Sequence, residues 1–392
     1  MTRLLERLLG RLPIGWLQLI HSPARFTAAL IGVAFANILV LMQLGFLGAL
    51  TGSIRFPYDA MAGTILISGS DMNTLADGSP LPRQRMFQAL AVDGVARAVP
   101  LYSSRLDWKQ PDGSLRTMEV YGVDPGVQTF RSSVISPEQR EGLVNADRVL
   151  LDAKTRNLPK GVAEQVAGGE RYSFEARGHT LSVIGLFTIG GGFAADGYMV
   201  TSDQTFLRLF PERSAGAPNQ IIVTVAPGFA AADVITRLKE ILPEYDTKVR
   251  SIDEAAQRDQ TFQTTQRPVG LILGFGMVIG VLVGIVIVYQ VLSTDVADHL
   301  KEYATFKAIG YPQRFFLSIV FEEALVLALL GFMPGFTLSL GLYALVGAKT
   351  GLPLAMTVSR AALVFFGTLL LCSFSGALAT RKLARANPAD LF

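Results

Sequence analysis

The chain has 392 residues, of which 50% are hydrophobic and 17% charged, and its mean hydropathy is +0.38. This composition is too apolar for an ordinary soluble domain and too charged for a chain that lies wholly in lipid, so one chain occupies two environments. The formal net charge of +3 is too small to indicate a nucleic-acid-binding protein, and a single cysteine, Cys372, excludes an intrachain disulfide.

Residues 1–25 predict a cytoplasmic amphipathic helix. Arg3, Arg7 and Arg11 recur at four-residue spacing and share one helical face, while leucines fall on another. A merely solvated, charged start is the alternative. The uncharged residues 26–52 follow, and this segment is long enough to cross a bilayer and too long for the apolar core of a signal peptide. We therefore expect a retained first transmembrane helix.

Residues 53–267 form a different kind of sequence, with short alternating apolar runs separated by glycine, proline and aspartate. This pattern predicts a large α/β domain, which we expect to comprise two lobes. The turn Pro111-Asp112-Gly113 predicts a hairpin, because aspartate-glycine readily adopts the positive φ that such turns require. The expected strands are 64–68, 104–109, 115–123, 181–187 and 221–225, and the expected helices are 83–91 and 230–242.

This domain has no recognisable catalytic motif. Its sequence contains no HExxH, no cysteine and histidine cluster and no Gly-x-Ser-x-Gly elbow. Gly190-Gly191-Gly192 is not followed by the Lys-Ser/Thr of a phosphate-binding loop, and residues 341–350 only approximate one, with five residues between the glycines and an alanine before the lysine. We expect no enzymatic activity, no metal and no cofactor in this chain.

Three more apolar segments follow the domain, and each is long enough to span a bilayer. Lysines and arginines lie before the first span, between the second and third, and after the fourth. The positive-inside rule therefore puts both termini and the loop between the second and third spans in the cytoplasm, and the large domain outside it. The segments are transmembrane helices 268–292, 316–346 and 361–380, cytoplasmic loop 293–315, short outer loop 347–360 and cytoplasmic tail 381–392.

The second span contains Gly276, Gly280 and Gly284, a GxxxGxxxG ladder that lets another helix approach closely. Packing within one protomer and a homodimer seam both explain the ladder, and the thin four-helix bundle favours the dimer. In the third span, Pro334 should kink or interrupt the helix, either as a hinge or as a passive bend.

Acidic residues are rare in the spans. Glu322 and Glu323 lie near the cytoplasmic end of the third span, where we expect a charged helix end that snorkels or meets a basic neighbour rather than a gate. Because the four predicted transmembrane helices contain so few charged residues, we expect neither ion-coupled transport nor an ion channel.

Residues 293–315 predict a short amphipathic helix on the cytoplasmic membrane surface. Thr294 or Asp295 can cap its start, and Gly310 followed by Pro312 is typical of a helix end. Its charged residues, which include Glu302, offer partners to a soluble protein. A simple capped connector is the alternative.

The run Glu302-Tyr-Ala-Thr-Phe-Lys-Ala-Ile-Gly310 resembles the cytoplasmic signature of the FtsX-like permeases, the superfamily of MacB and the lipoprotein-releasing transporters. The closing Arg381-Lys382 and Asn387-Pro388-Ala389-Asp390 are similar to its basic tail. The motifs that resemble the DevC family of glycolipid exporters are Trp16-Leu-Gln-Leu-Ile20, Gln43-Leu-Gly-Phe46, Ala194-Ala-Asp-Gly197, Asp295-Val-Ala-Asp-His-Leu300 and Ser375-Gly-Ala-Leu378.

The resemblance implies a permease subunit of a bacterial inner-membrane ABC exporter that transmits motion to a periplasmic domain. ATP is bound by a separate ATPase subunit (DevA-like), and the other implied partners are a periplasmic membrane-fusion adaptor (DevB-like), an outer-membrane TolC-like duct and a second copy of the chain. A lipoprotein-releasing permease and a non-transporting FtsX-like transmitter that controls a cell-wall hydrolase are the alternatives.

The resemblance also implies roles in ATPase coupling. Tyr303, Phe306 and Ile309 would fill a groove on the ATPase, Glu302 and Lys307 would pair with its charges, and Gly310 would let the chain turn back into the bilayer. Phe306 departs from the leucine that is frequent in the superfamily, which an apolar groove tolerates.

Overall fold

The structure is a computed structural model that describes residues 13–110, 112–159, 161–193, 195–299, 302, 305–306 and 309–385. Several features predicted from the sequence lie outside these residues. They are the arginine face of Arg3, Arg7 and Arg11, the coupling residues Tyr303 and Lys307, and the closing Asn387-Pro388-Ala389-Asp390.

In chain order the described residues form helices α1 (Ile14–His21), α2 (Pro23–Ala60), α3 (Gln84–Leu90), α4 (Pro137–Gly142), α5 (Val162–Ala167), α6 (Asp203–Leu209), α7 (Ala231–Ile241), α8 (Ile252–Thr265), α9 (Pro268–Asp298), α10 (Gln313–Thr350) and α11 (Val358–Arg385). The strands are β1 (Ile65–Gly69), β2 (Val95–Lys109), β3 (Leu115–Val123), β4 (Arg148–Asp152), β5 (Tyr172–Ala176), β6 (His179–Phe187), β7 (Gly197–Ser202), β8 (Gln220–Val225) and β9 (Thr247–Ser251).

The chain divides into two compact units. The membrane unit comprises the described residues up to 48, residues 271–346 and the described residues from 354 on. The head unit comprises residues 49–270 and 347–353. Among the described residues, α2, α9, α10 and α11 are the helices long and apolar enough to cross a membrane. This confirms the predicted fold class, four transmembrane helices with a large α/β domain inserted between the first and the second.

The helices are longer than the predicted spans. With 38 residues, α2 exceeds the roughly 20 residues that a bilayer requires, and its last residues, 49–60, belong to the head unit. At the other side of the head, α9 continues to Asp298, and the Thr294 hydroxyl donates to the Gln290 carbonyl within it. The predicted helix start at Thr294 or Asp295 is therefore wrong, because these residues continue the second span.

Pro334 does not interrupt the third membrane helix, since α10 runs through it from Gln313 to Thr350. A proline removes one backbone hydrogen bond, and a neighbouring helix can compensate by close packing. Gly331 and Gly335 provide that packing, because a Cβ built on Gly335 would lie 2.9 Å from the Ala34 carbonyl oxygen of α2.

The described part of the head forms a nine-stranded sheet in the order β5-β6-β4-β7-β3-β2-β8-β1-β9. Most neighbours are antiparallel, while β3 with β7 and β4 with β6 are parallel. The predicted hairpin joins β2 to β3, with Lys109 opposite Leu115, and Gly113 has the positive φ of 83° that the turn requires.

The strand β2 links two halves of the sheet. Its first half, up to Leu101, pairs with β8, and its second half, from Tyr102, pairs with β3. One apolar core lies along β1, β8, β9, α3 and α7, and a second lies along β3, β4, β6, β7 and α6. The described head thus has two apolar cores on one continuous sheet, while its division into two lobes stays a prediction.

Candidate functional site: coupling loop and stalk

The coupling loop is the described part of residues 299–312, and it ends as predicted at Gly310. The φ of Gly310 is +106°, a conformation that side chains with a Cβ rarely adopt. The Tyr311 N–H donates to the Phe306 carbonyl at 3.1 Å, and the Ile309 N–H donates to the Thr305 carbonyl at 3.0 Å. The six-residue closure around a left-handed glycine is a Schellman-type helix end, so Gly310 sets the direction in which the chain re-enters the bilayer.

Aromatic rings hold this loop against the membrane unit. The ring of Phe306 contacts the rings of Tyr311 and Phe315, with centroid distances of 5.6 Å and 6.0 Å. Phe306 also packs on the apolar core of the membrane unit, whereas Ile309 is 70% exposed and Glu302 is exposed. Phe306 thus stabilises the loop internally, and Ile309 and Glu302 are the residues accessible to a soluble partner.

The glycine ladder of the second span faces the first span of the same chain. A Cβ on Gly276 would collide with the Gln43 amide, and one on Gly284 would lie 3.2 Å from Ala36 Cβ. Gly280 approaches Val40 in the same way, at 3.1 Å to Cγ2. Packing within one protomer therefore accounts for the ladder. A homodimer stays a prediction, and these three glycines do not need it to explain their spacing.

Glu322 and Glu323 are buried rather than snorkelling, which corrects the expectation from the sequence. The Glu323 side chain is 0% exposed, and Glu322 Oε1 accepts the Trp16 N–H at 3.2 Å. A Cβ on Gly15 would lie 2.7 Å from the Ile319 carbonyl oxygen, so α1 packs tightly on α10 beside this pair. The Glu322 carboxyl thus helps to anchor the N-terminal helix.

The stalk is the part of the head formed by residues 49–60 of α2 together with α8, the helix that directly precedes the second span. The Tyr58 hydroxyl, fully buried, donates to Asp259 Oδ2 at 2.9 Å. The Gln260 amide donates to the Thr51 carbonyl at 2.7 Å. An ion pair between Arg55 and Asp253 adds a third polar link. These contacts tie the outer extension of the first span to the helix that leads into the second.

Asp259 is the centre of the stalk. Its carboxylate accepts from the Leu75 N–H at 3.0 Å and from the Gln263 amide at 3.0 Å in addition to Tyr58. Burial raises the pKa of Asp259, and these three donors oppose the rise. A buried carboxylate with three donors is well satisfied, so Asp259 orders the stalk rather than awaiting a ligand.

The glycine-rich loop at residues 190–192 binds a carboxylate of the chain itself. Asp152 at the end of β4 accepts the Gly190 N–H at 2.7 Å and the Lys154 N–H at 3.0 Å. Burial raises the pKa of Asp152, and the backbone donors counteract that rise. A Cβ on Gly192 would collide with Ser53 in the stalk. The loop is thus a packed connection between β4 and α2, which explains its glycines without a phosphate.

Sequence reasoning missed the stalk residues because their partners are distant along the chain. Tyr58 and Asp259 are 201 positions apart, and neither belongs to a short motif. Asp152 gave a weak signal, since an aspartate that ends a buried strand just before a turn commonly accepts backbone N–H groups. The coupling loop was found because its helix-ending glycine is local.

The chain is similar to two known families and to solved domains of other transporters. A family described as MacB-like periplasmic core domain matches residues 26–241, more than half of the chain, and a family described as FtsX-like permease C-terminal matches residues 274–388. The periplasmic region of MacB from Actinobacillus actinomycetemcomitans is 13% identical, with a TM-score of 0.35, over 51% of this chain and 93% of that chain. The extracellular domain of the noncanonic ABC-type transporter YknZ from Gram-positive bacteria is 14% identical, with a TM-score of 0.33, over 48% of this chain and 98% of that chain. No curated protein matches the chain significantly.

Proposed function

The chain belongs to the FtsX/MacB-like family of ABC permeases, and from that premise we propose that it is the permease subunit of a tripartite exporter of the DevC type. It is an inner-membrane protein with a large periplasmic domain. In this proposal both termini are cytoplasmic, the cargo is an amphiphile such as a glycolipid, and ATP is hydrolysed by a separate DevA-like subunit. A DevB-like adaptor and a TolC-like duct complete the path, and two copies of the chain form the dimer.

The stalk is the observation that carries this proposal. An exporter that works by transmitting motion needs stiff elements between the ATPase and the periplasmic domain, and it needs no polar pore. Long continuous helices supply stiffness, and α2 passes without a break from the membrane unit into the head unit. The fully buried Tyr58 hydroxyl fixes its end to Asp259 of α8, so a movement of either helix is passed to the other.

The coupling loop supports the cytoplasmic part of the proposal. Ile309 is an apolar side chain in an exposed position, which offers a contact to a soluble partner, and Glu302 lies seven positions before it in the sequence and is also exposed. Phe306 packs on Phe315 of α10 and Gly310 sets the turn before α10, so that force applied at Ile309 would reach α10.

The experiment replaces Gly310 by valine in the full complex of the chain with its ATPase. A β-branched side chain is strained at a φ of +106°, so the loop end should rearrange. We expect G310V to insert into the membrane and to retain basal ATP hydrolysis, while export falls at least tenfold. The matched control is G228V, because Gly228 also has a positive φ of 90° and open space around it, but lies in the head.

Export by G310V at the rate of the wild-type chain would refute the proposed coupling. Co-purification distinguishes the alternatives. An adaptor and an outer-membrane duct indicate a tripartite exporter, a periplasmic lipoprotein carrier indicates a lipoprotein-releasing permease, and a cell-wall hydrolase indicates an FtsX-like transmitter.

A further inference from the structure

A cavity of about 400 Å³ lies in the head between the sheet and the stalk. That volume is within the range of sites for small molecules. The stalk side of the cavity has an apolar strip, formed by Leu50, Ile54 and Pro57 of α2 with Val269 at the start of α9, and this strip lies beside the polar residues Ser53, Asp259, Gln263 and Arg267. The sheet side is polar and aromatic. The cavity therefore has the two-sided character that suits an amphiphile.

The polar side is a row across three neighbouring strands. Arg105 of β2 is directly opposite Glu119 of β3, and Glu119 is directly opposite Tyr198 of β7. Tyr121 lies two positions beyond Glu119 on the same face, and its ring stacks on that of Tyr198 at a centroid distance of 5.9 Å. A carboxyl group thus lies beside two tyrosine rings.

Glu119 lacks the partners that a buried carboxylate normally has. Its side chain is 4% exposed, and within the described residues its hydrogen bonding is limited to the Tyr121 hydroxyl at 3.5 Å. Among the described residues Glu119 forms no ion pair, although the exposed Arg105 is its cross-strand neighbour and lines the same cavity. Asp259 in the same cavity is fully satisfied by its three donors. The unfilled acceptor in this cavity is therefore Glu119.

We propose that this cavity binds the protonated amine head of an amphiphile, with Glu119 as the counter-ion. An ammonium group supplies the hydrogen-bond donors and the positive charge that Glu119 lacks, and the Tyr121 and Tyr198 side chains line the cavity beside it. The apolar wall formed by α2 and α9 receives the hydrocarbon chain. Identification of this ligand as cargo rests on the proposed export function, whereas binding itself does not require the ATPase or the adaptor.

The binding should depend on pH through Glu119. Burial raises the pKa of Glu119 to about 7, while the charge of Arg105 opposes the rise. Below pH 7 the carboxyl is neutral and attracts a cation weakly, and above pH 7 it is charged. The titratable and charged groups that face it are Arg105, Tyr58, Tyr121, Tyr198 and Asp259.

The test uses the full chain in lipid nanodiscs, titrated calorimetrically with n-octylamine, n-octanol and octanoate. At pH 8 we expect octylamine to bind the wild-type chain at least tenfold more tightly than E119Q, and octanol to bind both equally. The matched control E175Q, at an exposed glutamate of β5, should behave as the wild-type chain does. Octylamine binding to the wild-type chain should be weaker at pH 5.5 than at pH 8. This comparison is made within the wild-type chain and does not depend on the folding of a variant.

Equal octylamine affinities of the wild-type chain and E119Q at pH 8, or an affinity of the wild-type chain that does not change with pH, would overturn the proposal. Tighter binding of octanoate than of octylamine, lost in R105Q, would also overturn it, because Arg105 would then select an anionic head. Co-purification of the ATPase is independent of these titrations, so failure here leaves the proposed export function in place.

Discussion

Glu119 makes the stability of the head depend on pH. Its carboxyl is buried and its pKa rises from 4.5 to about 7, so the folded head favours the protonated form. Below pH 4.5 both folded and unfolded chains hold the proton and there is no penalty. As the pH rises from 4.5 to about 7, the unfolded chain loses this proton before the folded head does, so the head loses stability, and above 7 the full penalty is present. A change of this size corresponds to about 3 kcal/mol, which is a ceiling because Glu119 borders an open cavity rather than solid protein.

The substitution E119Q removes this charge and keeps the shape of the side chain. A stability change of 1 kcal/mol moves the melting temperature of a domain of this size by roughly 2–4 °C. We therefore expect E119Q to melt about 5 °C or more above the wild-type chain at pH 8, and the two to coincide near pH 4.5. The control E175Q should follow the wild-type chain at both pH values, because Glu175 is exposed.

Tryptophan fluorescence is a suitable measurement. The chain has two tryptophans, and Trp108 is 1% exposed in the core of the head, so a Trp16→Phe background makes the signal specific to the head. A melting difference between E119Q and its parent that stays constant from pH 4.5 to 8 would refute the reasoning. So would an E119Q chain that is less stable than its parent at pH 8, because Glu119 would then be stabilised in its charged form.

Further predictions concern the stalk, the membrane helices and the carboxylate loop. Tyr58→Phe removes one of three donors to Asp259 and should cost about 1–3 kcal/mol, visible as a lower melting temperature in detergent; an unchanged temperature would show that the bond is not needed. Gly335→Ala should destabilise the membrane unit by about 1–3 kcal/mol, because the new Cβ would lie 2.9 Å from a backbone oxygen of α2. The control is Gly341→Ala on the same helix, whose Cβ would meet nothing within 4 Å and which should be neutral or stabilising. Asp152→Asn turns an NH₂ group towards backbone donors and should increase hydrogen exchange at residues 189–193, and protection equal to that of the wild-type chain would contradict this.

Local features of this protein could be predicted from its sequence. The four spans follow from apolar length alone, the β2–β3 hairpin from Asp112-Gly113, and the end of the coupling loop from Gly310. These three features depend only on short stretches of sequence. A bilayer requires one apolar segment of sufficient length, and a turn requires a glycine at one position.

Features that depend on distant partners could not be predicted. The sequence predicts that Glu322 and Glu323 form a charged helix end that snorkels or meets a basic neighbour, yet both are buried beside α1, and no periodicity in α10 shows which helix will pack there. The glycine ladder is compatible with packing within one protomer and with a seam between copies, and only the structure shows that the first span of the same chain packs on it. Glu119 stands in a strand whose neighbours are apolar or aromatic, and only the register across β2, β3 and β7 reveals its position beside the cavity.

The position of β1 determines how late the head can complete its assembly. This strand follows the first span directly in sequence, yet both of its edges are paired by the last two strands, with Ile65 opposite Val223 on one side and Ser251 on the other. During synthesis β1 therefore keeps both edges unpaired until β8 has crossed the membrane and one edge unpaired until Ser251 has crossed, and unpaired strand edges promote aggregation. The second span begins at Pro268, so the head closes its sheet almost at the moment when the chain turns back into the bilayer. Biogenesis of this protein thus requires the emerging head to be kept apart from other chains until nearly all of it has been exported.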